Sequence, residues 1–337
     1  MSRKETSRIP YSVLDLALIT EGQTAADAIR GSRDLAVHVE KWGYTRFWMA
    51  EHHNMENIAS SATSILLGHV ADATHTLRVG SGGIMLPNHS PLIIAEQFGT
   101  LATMYPGRID LGLGRAPGTD QTTAFAIRPD RIQAIREFPE NVQLLQHYLS
   151  SDNKNGKVRA IPGEGTEVPI YILGSSTDSA HLAAALGLPY VFASHFAPQQ
   201  LMAAIQIYQE RFTPSEHLEE PYFMPCVNVV AAETDEEAEF LSTSMLQMFM
   251  GVVTGDRRPM PPPVEDMSRV WGMQERMAVQ QMLACSFFGS KATIKQELEE
   301  FLEKTGSDEV MIASYIYDHQ KRLESHRLFA ELMQGDV

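Results

Sequence analysis

Short apolar runs alternate with longer segments of helical spacing along most of this sequence. The runs are rich in β-branched and aromatic residues, and they are continuously apolar instead of alternating between apolar and polar positions. Continuous runs are typical of parallel strands that are covered on both faces. We predict eight strands, over residues 11–18, 46–50, 77–86, 108–114, 168–174, 190–196, 222–232 and 309–318.

Segments with an apolar residue every three or four positions separate the predicted strands, and this spacing indicates helices. Pro91 is favoured in the first turn of one helix, Pro139 interrupts or restarts another, and Gly187 closes a third. The predicted helices cover residues 24–41, 61–72, 91–104, 129–149 and 175–187, and three more follow the strands that end near residues 196, 232 and 318.

Eight strands alternating with helices within 337 residues favour an α/β fold, a (β/α)8 TIM barrel, over an open doubly wound sheet. No shift in composition divides the chain, so we expect one barrel domain over residues 1–337, with insertions at the carboxyl ends of its strands. Residues 251–271 are rich in proline and cannot form a continuous helix. This segment is predicted to be a surface insertion or a lid over the mouth of the barrel.

The chain carries 42 acidic and 27 basic side chains, which gives it a formal net charge of −15. Such an excess repels phosphate backbones, and we therefore expect no nucleic-acid partner. No apolar stretch reaches membrane-spanning length, and the amino-terminal segment lacks a signal-peptide cleavage site. Cys226 and Cys285 follow no metal or redox spacing. These features together predict a cytoplasmic protein that does not bind membranes.

The second predicted strand ends in Glu51, His52 and His53. Adjacent residues of a strand point to opposite faces, so the two imidazoles are poorly placed to bind one metal ion, and no H-x-H or H-E-x-x-H spacing occurs. A histidine at a barrel mouth is suited to act as a general base or hydrogen-bond donor near neutral pH. Alternatively, both histidines satisfy polar groups at the rim. The same two interpretations apply to His195, at another strand end.

Further strand ends carry groups that are suited to hold a phosphate or a flat ligand. Arg115 follows a Gly-rich stretch that does not match a dinucleotide-binding fingerprint, and it is suited to bind phosphate or to form a surface salt bridge. In "LGSSTDSA" (173–180) a strand passes into a helix, whose first N–H groups form a phosphate cradle or are simply capped. The glycines of "GSGG" (80–83) permit close approach of a flat ligand or form a bulge.

Five segments, in their order along the chain, resemble the luciferase-like monooxygenase family and, within it, the YhbW-type branch: "MAEHHNMENIASSATS", "LRVGSGGIMLPNHSPLIIAEQFGTL", "PGRIDLGLGRAPGTD", "LGSSTDSAHLAAALGLPYVFASHFAP" and "YIYDHQKRL". The similarity extends over nearly the whole chain. It implies a (β/α)8 barrel that binds FMN in its reduced form and uses O2 to oxygenate a small organic substrate through a flavin C4a-hydroperoxide. It also implies a homodimer. No flavin-reducing domain fits in this chain, so we expect a separate flavin reductase.

The resemblance assigns the catalytic role to His52, the first histidine of the Glu-His-His motif. It implies that His52 hydrogen-bonds near the reacting edge of the flavin and moves a proton. Glu51 or His53 is expected to orient His52. His195 and the insertion at 251–271 are expected to shape the substrate pocket.

On the flavin side, the resemblance aligns a non-proline cis peptide beneath the flavin ring with Gly82-Gly83. The expected phosphate-binding residues are Arg115, Ser175, Ser176 and Ser179. Two positions depart from bacterial luciferase: Gly114 replaces a reactive cysteine and Ser175 replaces a glutamate. These departures argue against light emission and against a long-chain aldehyde substrate.

Three alternatives remain from the sequence. An F420-dependent oxidoreductase would use the same barrel for hydride transfer without O2. A non-catalytic flavin-binding protein would keep the cofactor site and lack turnover. A metal-dependent hydrolase is the third alternative, against which the histidine spacing argues, so we expect no metal.

Overall fold

The computed structural model describes residues 9–335, and within them nine strands form one sheet whose strand pairings are all parallel. The strands are β1 (Tyr11–Asp15), β2 (Arg46–Met49), β3 (Arg78–Met85), β4 (Ile109–Gly114), β5 (Ile170–Gly174), β6 (Tyr190–Phe192), β7 (Phe223–Ala231), β8 (Ser286–Gly289) and β9 (Val310–Ala313). The helices are α1 (Ala25–Lys41), α2 (Thr63–Ala73), α3 (Pro91–Met104), α4 (Gln121–Ile127), α5 (Arg131–Arg136), α6 (Phe138–Leu149), α7 (Thr177–Leu186), α8 (Leu201–Arg211), α9 (Asp235–Thr254), α10 (Met273–Met282), α11 (Lys291–Thr305) and α12 (His319–Gln334).

Eight of these strands close into a ring. Each of β1 to β6 pairs with the next strand in sequence, β7 pairs with β9, and β9 pairs with β1. Helices follow the strands around the outside of the ring, so the predicted (β/α)8 barrel is confirmed. The eight strands of the ring are the eight that the apolar pattern predicts.

The ninth strand, β8, was not predicted. It pairs with the carboxyl-terminal half of β7, from Asn228 to Ala231, beyond the pairing of β7 with β9. Its four residues, "SFFG", follow α10 without an intervening glycine or proline, so no turn signal separates them from the helix. The strands predicted over 190–196 and 309–318 are too long, because the chain leaves the sheet after Phe192 and Ala313 to form loops at the mouth.

The helix boundaries follow local sequence chemistry. Thr24 caps α1 through a capping box with Asp27, α3 begins at Pro91 as predicted, and Gly187 ends α7 in the left-handed conformation with φ +59°. The helix predicted over 129–149 is divided into α5 and α6, with Pro139 in the first turn of α6.

The core has two layers. Apolar residues such as Phe47, Leu67 and Phe98 lie between the strands and the surrounding helices, and Trp48 and Tyr171 belong to a second cluster inside the barrel. All five side chains are buried. Burial of this kind stabilises a fold by roughly 1.5–3 kcal/mol for each large apolar side chain.

A charged network closes the amino-terminal end of the barrel. Arg46 donates through Nε to Glu309 and through Nη1 to Asp110, both at 2.8 Å, and Nη1 also lies 2.8 Å from the hydroxyl of Tyr171. Burial opposes the charge of Arg46, but the two carboxylates outweigh burial and raise its pKa. These ions satisfy one another inside the protein, so the polar groups available for chemistry lie at the opposite, carboxyl-terminal mouth.

The Pro-rich segment 251–271 begins as the last turn of α9 and then continues as irregular chain, with a short 3₁₀ turn at Met267–Arg269. Its backbone is attached to the loop after β1. Met260 donates to the carbonyl of Ile19 at 2.9 Å, and Glu21 donates to the carbonyl of Met260 at the same distance. The segment therefore lies at the barrel mouth. In the described part of the chain, no helix combines the length and apolarity needed to span a membrane.

Candidate active site

The carboxyl ends of neighbouring strands bring the predicted site residues to one mouth, since parallel strands of a barrel all end on the same face. Glu51, His52 and His53 follow β2, Gly82 and Gly83 lie within β3, Arg115 follows β4, and His195 lies three residues beyond β6. Ser175, Ser176 and Ser179 lie in the turn between β5 and α7 and in the first turn of that helix.

Glu51 is the centre of a buried hydrogen-bond cluster. Its side chain is 1% exposed. The carboxylate accepts from Nε2 of His53 at 2.8 Å, from Nε2 of His89 at 2.9 Å and from the backbone N–H of Met85 at 3.0 Å. Asn88 adds a longer contact of 3.3 Å from its amide nitrogen. The cluster ties the loop after β2 to the end of β3.

The cluster keeps Glu51 ionised. Burial alone would raise the pKa of this carboxyl group, but the hydrogen bonds from His53 and His89 and the N–H of Met85 outweigh burial and lower its pKa to about 2. An ionised carboxylate can only accept hydrogen bonds. The ring nitrogens of His53 and His89 that face it therefore carry hydrogens.

His52 lies between Glu51 and His53 in sequence but has different surroundings. Its backbone N–H donates to the carbonyl of Ser60 at 3.0 Å, and its ring atom Nδ1 lies 3.3 Å from the carbonyl of Gly118. Burial is the largest influence on this imidazole and lowers its pKa, and the nearby charge of Arg257 lowers the pKa further. His52 is therefore neutral at pH 7, with Nδ1 directed to a carbonyl and Nε2 left for other partners.

His195 is a buried neutral histidine near His52. It is 6% exposed, and burial, followed by the charge of His52, lowers its pKa to about 3. Its Nδ1 atom has no hydrogen-bond partner within residues 9–335. A buried polar atom without a partner is unusual in folded proteins and indicates a site where a further group binds.

The glycine-rich end of β3 contains both features that the sequence suggests. The peptide bond between Gly82 and Gly83 is cis, as the family resemblance implies, and the register between β3 and β4 shifts between Ser81 and Ile84. A Cβ atom on Gly83 would lie 2.8 Å from the carbonyl oxygen of Gly112, so only glycine fits beside the neighbouring strand.

Arg115 faces the start of α7. Its Nη2 atom lies 3.0 Å from a carboxylate oxygen of Asp178, in the first turn of that helix, and both side chains are substantially exposed. The structure therefore brings together the two predicted phosphate-binding elements, the arginine and the helix start. It also contains the salt bridge that is the alternative interpretation of Arg115.

The serines of the turn differ in what they contact. The Ser179 hydroxyl donates to the carbonyl of Ser176 at 2.7 Å and lies 3.0 Å from the hydroxyl of Tyr190, so it holds the turn together. Ser176 is the N-cap residue, yet its side chain forms no capping hydrogen bond. The first N–H group of α7, from Thr177, is bonded to the side-chain oxygen of Gln200 at 3.0 Å.

This arrangement fits the phosphate of FMN in the chemistry of its donors. Three groups meet at one place on the rim: the guanidinium of Arg115, the hydroxyl of Ser176, which forms no capping hydrogen bond, and the positive end of the ten-residue helix α7. Asp178 lies there too, and its carboxylate competes with a phosphate for Arg115. Sequence reasoning missed two residues of the mouth. His89 follows β3 after the short 3₁₀ turn Leu86–Asn88 and could have been found by the strand-end argument applied to His195. No sequence signal connects Arg257 with His52.

Within residues 9–335, no group of three or more His, Cys, Asp or Glu side chains is arranged to hold a metal ion. The mouth is thus organised around one buried carboxylate, neutral imidazoles and an arginine at a helix start, on a closed parallel barrel. The closed ring of parallel strands defines the class of the protein as an α/β-barrel protein.

The chain belongs to the luciferase-like monooxygenase family, whose model matches residues 10–309. A protein of Escherichia coli (strain K12) described as a luciferase-like monooxygenase is 50% identical over 326 residues, which are 97% of this chain and 97% of that protein. An N-acetyl-S-alkylcysteine monooxygenase of Bacillus subtilis (strain 168) is 40% identical over 237 residues, which are 68% of this chain and 70% of that protein. The resemblance inferred from the motifs is confirmed.

Solved structures agree on the fold. The crystal structure of apo-MsnO8 has a TM-score of 0.87 and 33% identity, and the match covers 97% of this chain and 99% of that one. The oxygenating constituent of 3,6-diketocamphane monooxygenase, solved with FMN, has a TM-score of 0.73 and 15% identity, with 98% of each chain covered. An F420-dependent secondary alcohol dehydrogenase, solved with an F420-acetone adduct, has a TM-score of 0.69 and 16% identity, covering 96% of this chain and 98% of that one. These structures share the barrel of this chain, and one of them was solved with FMN and another with an F420-acetone adduct.

Proposed function

We propose that this protein is an FMN-dependent monooxygenase that uses reduced FMN and O2 to oxygenate a small organic substrate. The observation that carries the proposal is a neutral His52 and a buried His195 at the mouth that also presents Arg115, where Nδ1 of His195 has no partner within residues 9–335. The 50% identical relative described as a luciferase-like monooxygenase supports it.

The residues that would hold FMN lie on β3, after β4 and at the start of α7. Arg115 binds the phosphate together with Ser175, Ser176 and the helix start, while Ser179 holds the turn. The backbone at Gly82-Gly83 would support the flavin ring. Bound reduced FMN supplies the electrons that activate O2.

The protein's own residues transfer protons and exclude water. With Nδ1 of His52 directed to the carbonyl of Gly118, Nε2 is the atom that accepts or returns a proton at the reacting centre. Glu51 acts indirectly, because its hydrogen bonds fix His53 and His89 and so fix the loop that carries His52. The proposed role of the 251–271 segment is to shield the mouth from water as a lid, and that of His195 is to line the substrate pocket.

Partners follow from the same proposal. The electrons come from a separate flavin reductase, and the protein acts as a homodimer in the cytoplasm. Both cysteines are buried and free, which is compatible with a reducing compartment. The substrate class of the Bacillus subtilis relative, N-acetyl-S-alkylcysteines, provides the first compounds to test.

A second candidate is an F420-dependent oxidoreductase, which the F420-bound structural neighbour favours. Anaerobic titration of the protein with reduced FMN and with reduced F420 distinguishes the two candidate functions. Quenching of tryptophan fluorescence reports the binding of each cofactor. We expect reduced FMN to bind more tightly. Preferential binding of F420, with no turnover in the presence of FMN and O2, would replace the proposed function with hydride transfer.

Incorporation of isotopically labelled oxygen from O2 into product then distinguishes a monooxygenase from a passive flavin binder. We expect His52→Ala to retain FMN binding while losing labelled product. A variant that formed labelled product at the parent rate would remove His52 from the chemistry.

A further inference from the structure

A cavity of about 530 Å³ lies beside the Glu-His-His motif. It is formed by the loop after β2, the loop after β4 and the beginning of the Pro-rich segment 251–271. Its volume is within the range of cavities that bind small molecules. The cavity therefore offers room for part of a substrate beside His53, the next residue after the predicted catalytic His52.

Most charged groups around this cavity already have partners. Asp120 caps α4, accepting from the backbone N–H of Thr123 at 3.0 Å and from its hydroxyl at 2.6 Å. Arg258 forms an ion pair with Asp256 at 2.7 Å. These groups are already engaged by hydrogen bonds or by an ion pair, so they offer little to a ligand.

Arg257 is different. Among the residues that the structure describes, its guanidinium forms no ion pair, and its hydrogen-bond contact is a weak one, from Nη1 to the sulfur of Met55 at 3.7 Å. The exposed carboxylate of Glu56 also lines the cavity but lies beyond ion-pair distance. A guanidinium presents a planar fork of donors that matches a carboxylate. Arg257 thus has unused capacity to bind an anion.

The position of Arg257 connects the cavity with the chemistry. Its charge is close enough to the imidazole of His52 to act on it electrostatically. An anion that bound to Arg257 would lie in the cavity that His53, the next residue after His52, also lines. The net charge of −15 repels anions in general, so an anionic substrate requires a local cation of this kind.

We propose that Arg257 binds a carboxylate of the substrate, and that the enzyme acts on small organic acids whose oxidisable group lies a few bonds from that carboxylate. The inference rests on the proposed monooxygenase function and names the substrate class for the same mouth. It makes Arg257 a residue that determines specificity, presented to the barrel by the Pro-rich segment.

The test is isothermal titration of the full chain with N-acetyl-S-benzylcysteine and with its carboxamide, which differ only in the charged group. We expect the wild-type protein to bind the carboxylate roughly tenfold more tightly than the carboxamide, the scale of a charge-assisted hydrogen bond at a partly exposed site. Arg257→Gln is expected to bind both compounds equally. Arg258→Gln is the matched control, because its parent arginine is paired with Asp256, and it is expected to keep the preference.

Glu56→Gln is expected to change the affinity for the carboxylate probe in the opposite direction to Arg257→Gln. Removing this carboxylate from the cavity lessens repulsion, and we expect tighter binding of the carboxylate probe and unchanged binding of the carboxamide. A wild-type protein that bound the carboxylate no better than the carboxamide, including one that bound neither, would overturn the inference. So would a preference that survived in Arg257→Gln.

The titration is carried out without reductant or O2, first without FMN and then with FMN. Its outcome therefore does not depend on turnover. Failure of FMN to bind would contradict the proposed function, while the carboxylate preference of the protein without FMN would still decide the role of Arg257.

Discussion

His53 and Glu51, two positions apart at the end of β2, are joined by a 2.8 Å hydrogen bond from the ring atom Nε2 to the buried carboxylate. Because the pKa of Glu51 is lowered to about 2, the carboxylate is ionised and His53 is the donor. The three residues of the Glu-His-His motif thus have different roles. Glu51 and His53 fix the loop, and His52 faces Gly118 with its second ring nitrogen available.

Glu51→Gln should weaken this loop. The substitution removes a buried charge that accepts several hydrogen bonds, and we expect the free energy of unfolding to fall by about 2–3 kcal/mol. Urea denaturation at pH 7 measures the change. Glu56→Gln, an exposed carboxylate in the same loop, is the control and should change the free energy by less than about 0.5 kcal/mol. Equal effects of the two substitutions would contradict the account of Glu51 as the centre of the cluster.

Stability should fall in mild acid because of His195 and His326. Both are buried, and burial lowers both pKa values from 6.5 to about 3. Below about pH 6.5 the unfolded chain therefore binds protons at these positions and the folded chain does not, so the stabilisation is complete above pH 6.5 and is lost as the pH falls towards 3. Each histidine adds up to about 1.4 kcal/mol per pH unit to the slope.

His326→Gln tests this dependence without touching the mouth. The free energy of unfolding, measured by urea denaturation from neutral pH to about pH 4.5, should depend less steeply on pH in this variant than in the parent. His75→Gln, which replaces an exposed histidine, should leave the slope unchanged. A parent-like slope in His326→Gln would show that this histidine titrates freely in the folded protein.

The apolar pattern was sufficient to predict the barrel, because runs such as "RFWMA" and "RIDLGLG" report burial on both faces, and that burial is a property of the whole ring. Strand ends likewise predicted the mouth residues. The hydrogen bond between His89 and Glu51 spans 38 positions, and the approach of Arg257 to His52 depends on how the Pro-rich segment is attached through Met260. Such contacts are set by tertiary geometry, and no local spacing encodes them.

Arg115 and Asp178 should affect FMN binding in opposite directions. Arg115→Ala removes the proposed phosphate contact and should weaken FMN binding by about 1–2 kcal/mol, a discounted value for an exposed charged contact. Asp178→Asn removes a carboxylate that competes for the same guanidinium and should tighten binding. Fluorescence titration with FMN measures both. If Arg115→Ala bound FMN as the parent does, the phosphate site would lie elsewhere.

Gly83→Ala should disturb β3, because the new Cβ would lie 2.8 Å from the backbone oxygen of Gly112 on β4. Neither backbone can move easily within the ring, so we expect a loss of about 1–3 kcal/mol in stability together with weaker FMN binding. Gly68→Ala in α2 is the control, since its Cβ would meet a side chain at an ordinary 3.5 Å. That variant should be as stable as the parent or slightly more stable, because alanine favours helices.

The central claim is that the barrel mouth binds reduced FMN and controls its reaction with O2. The most direct measurement is stopped-flow mixing of the anaerobic protein–reduced FMN complex with oxygenated buffer, followed from the near-UV to the visible. We expect a transient near-UV absorbance, absent with free FMN, before the visible absorbance of oxidised flavin returns. Reoxidation at the rate and with the spectra of free reduced FMN would contradict it.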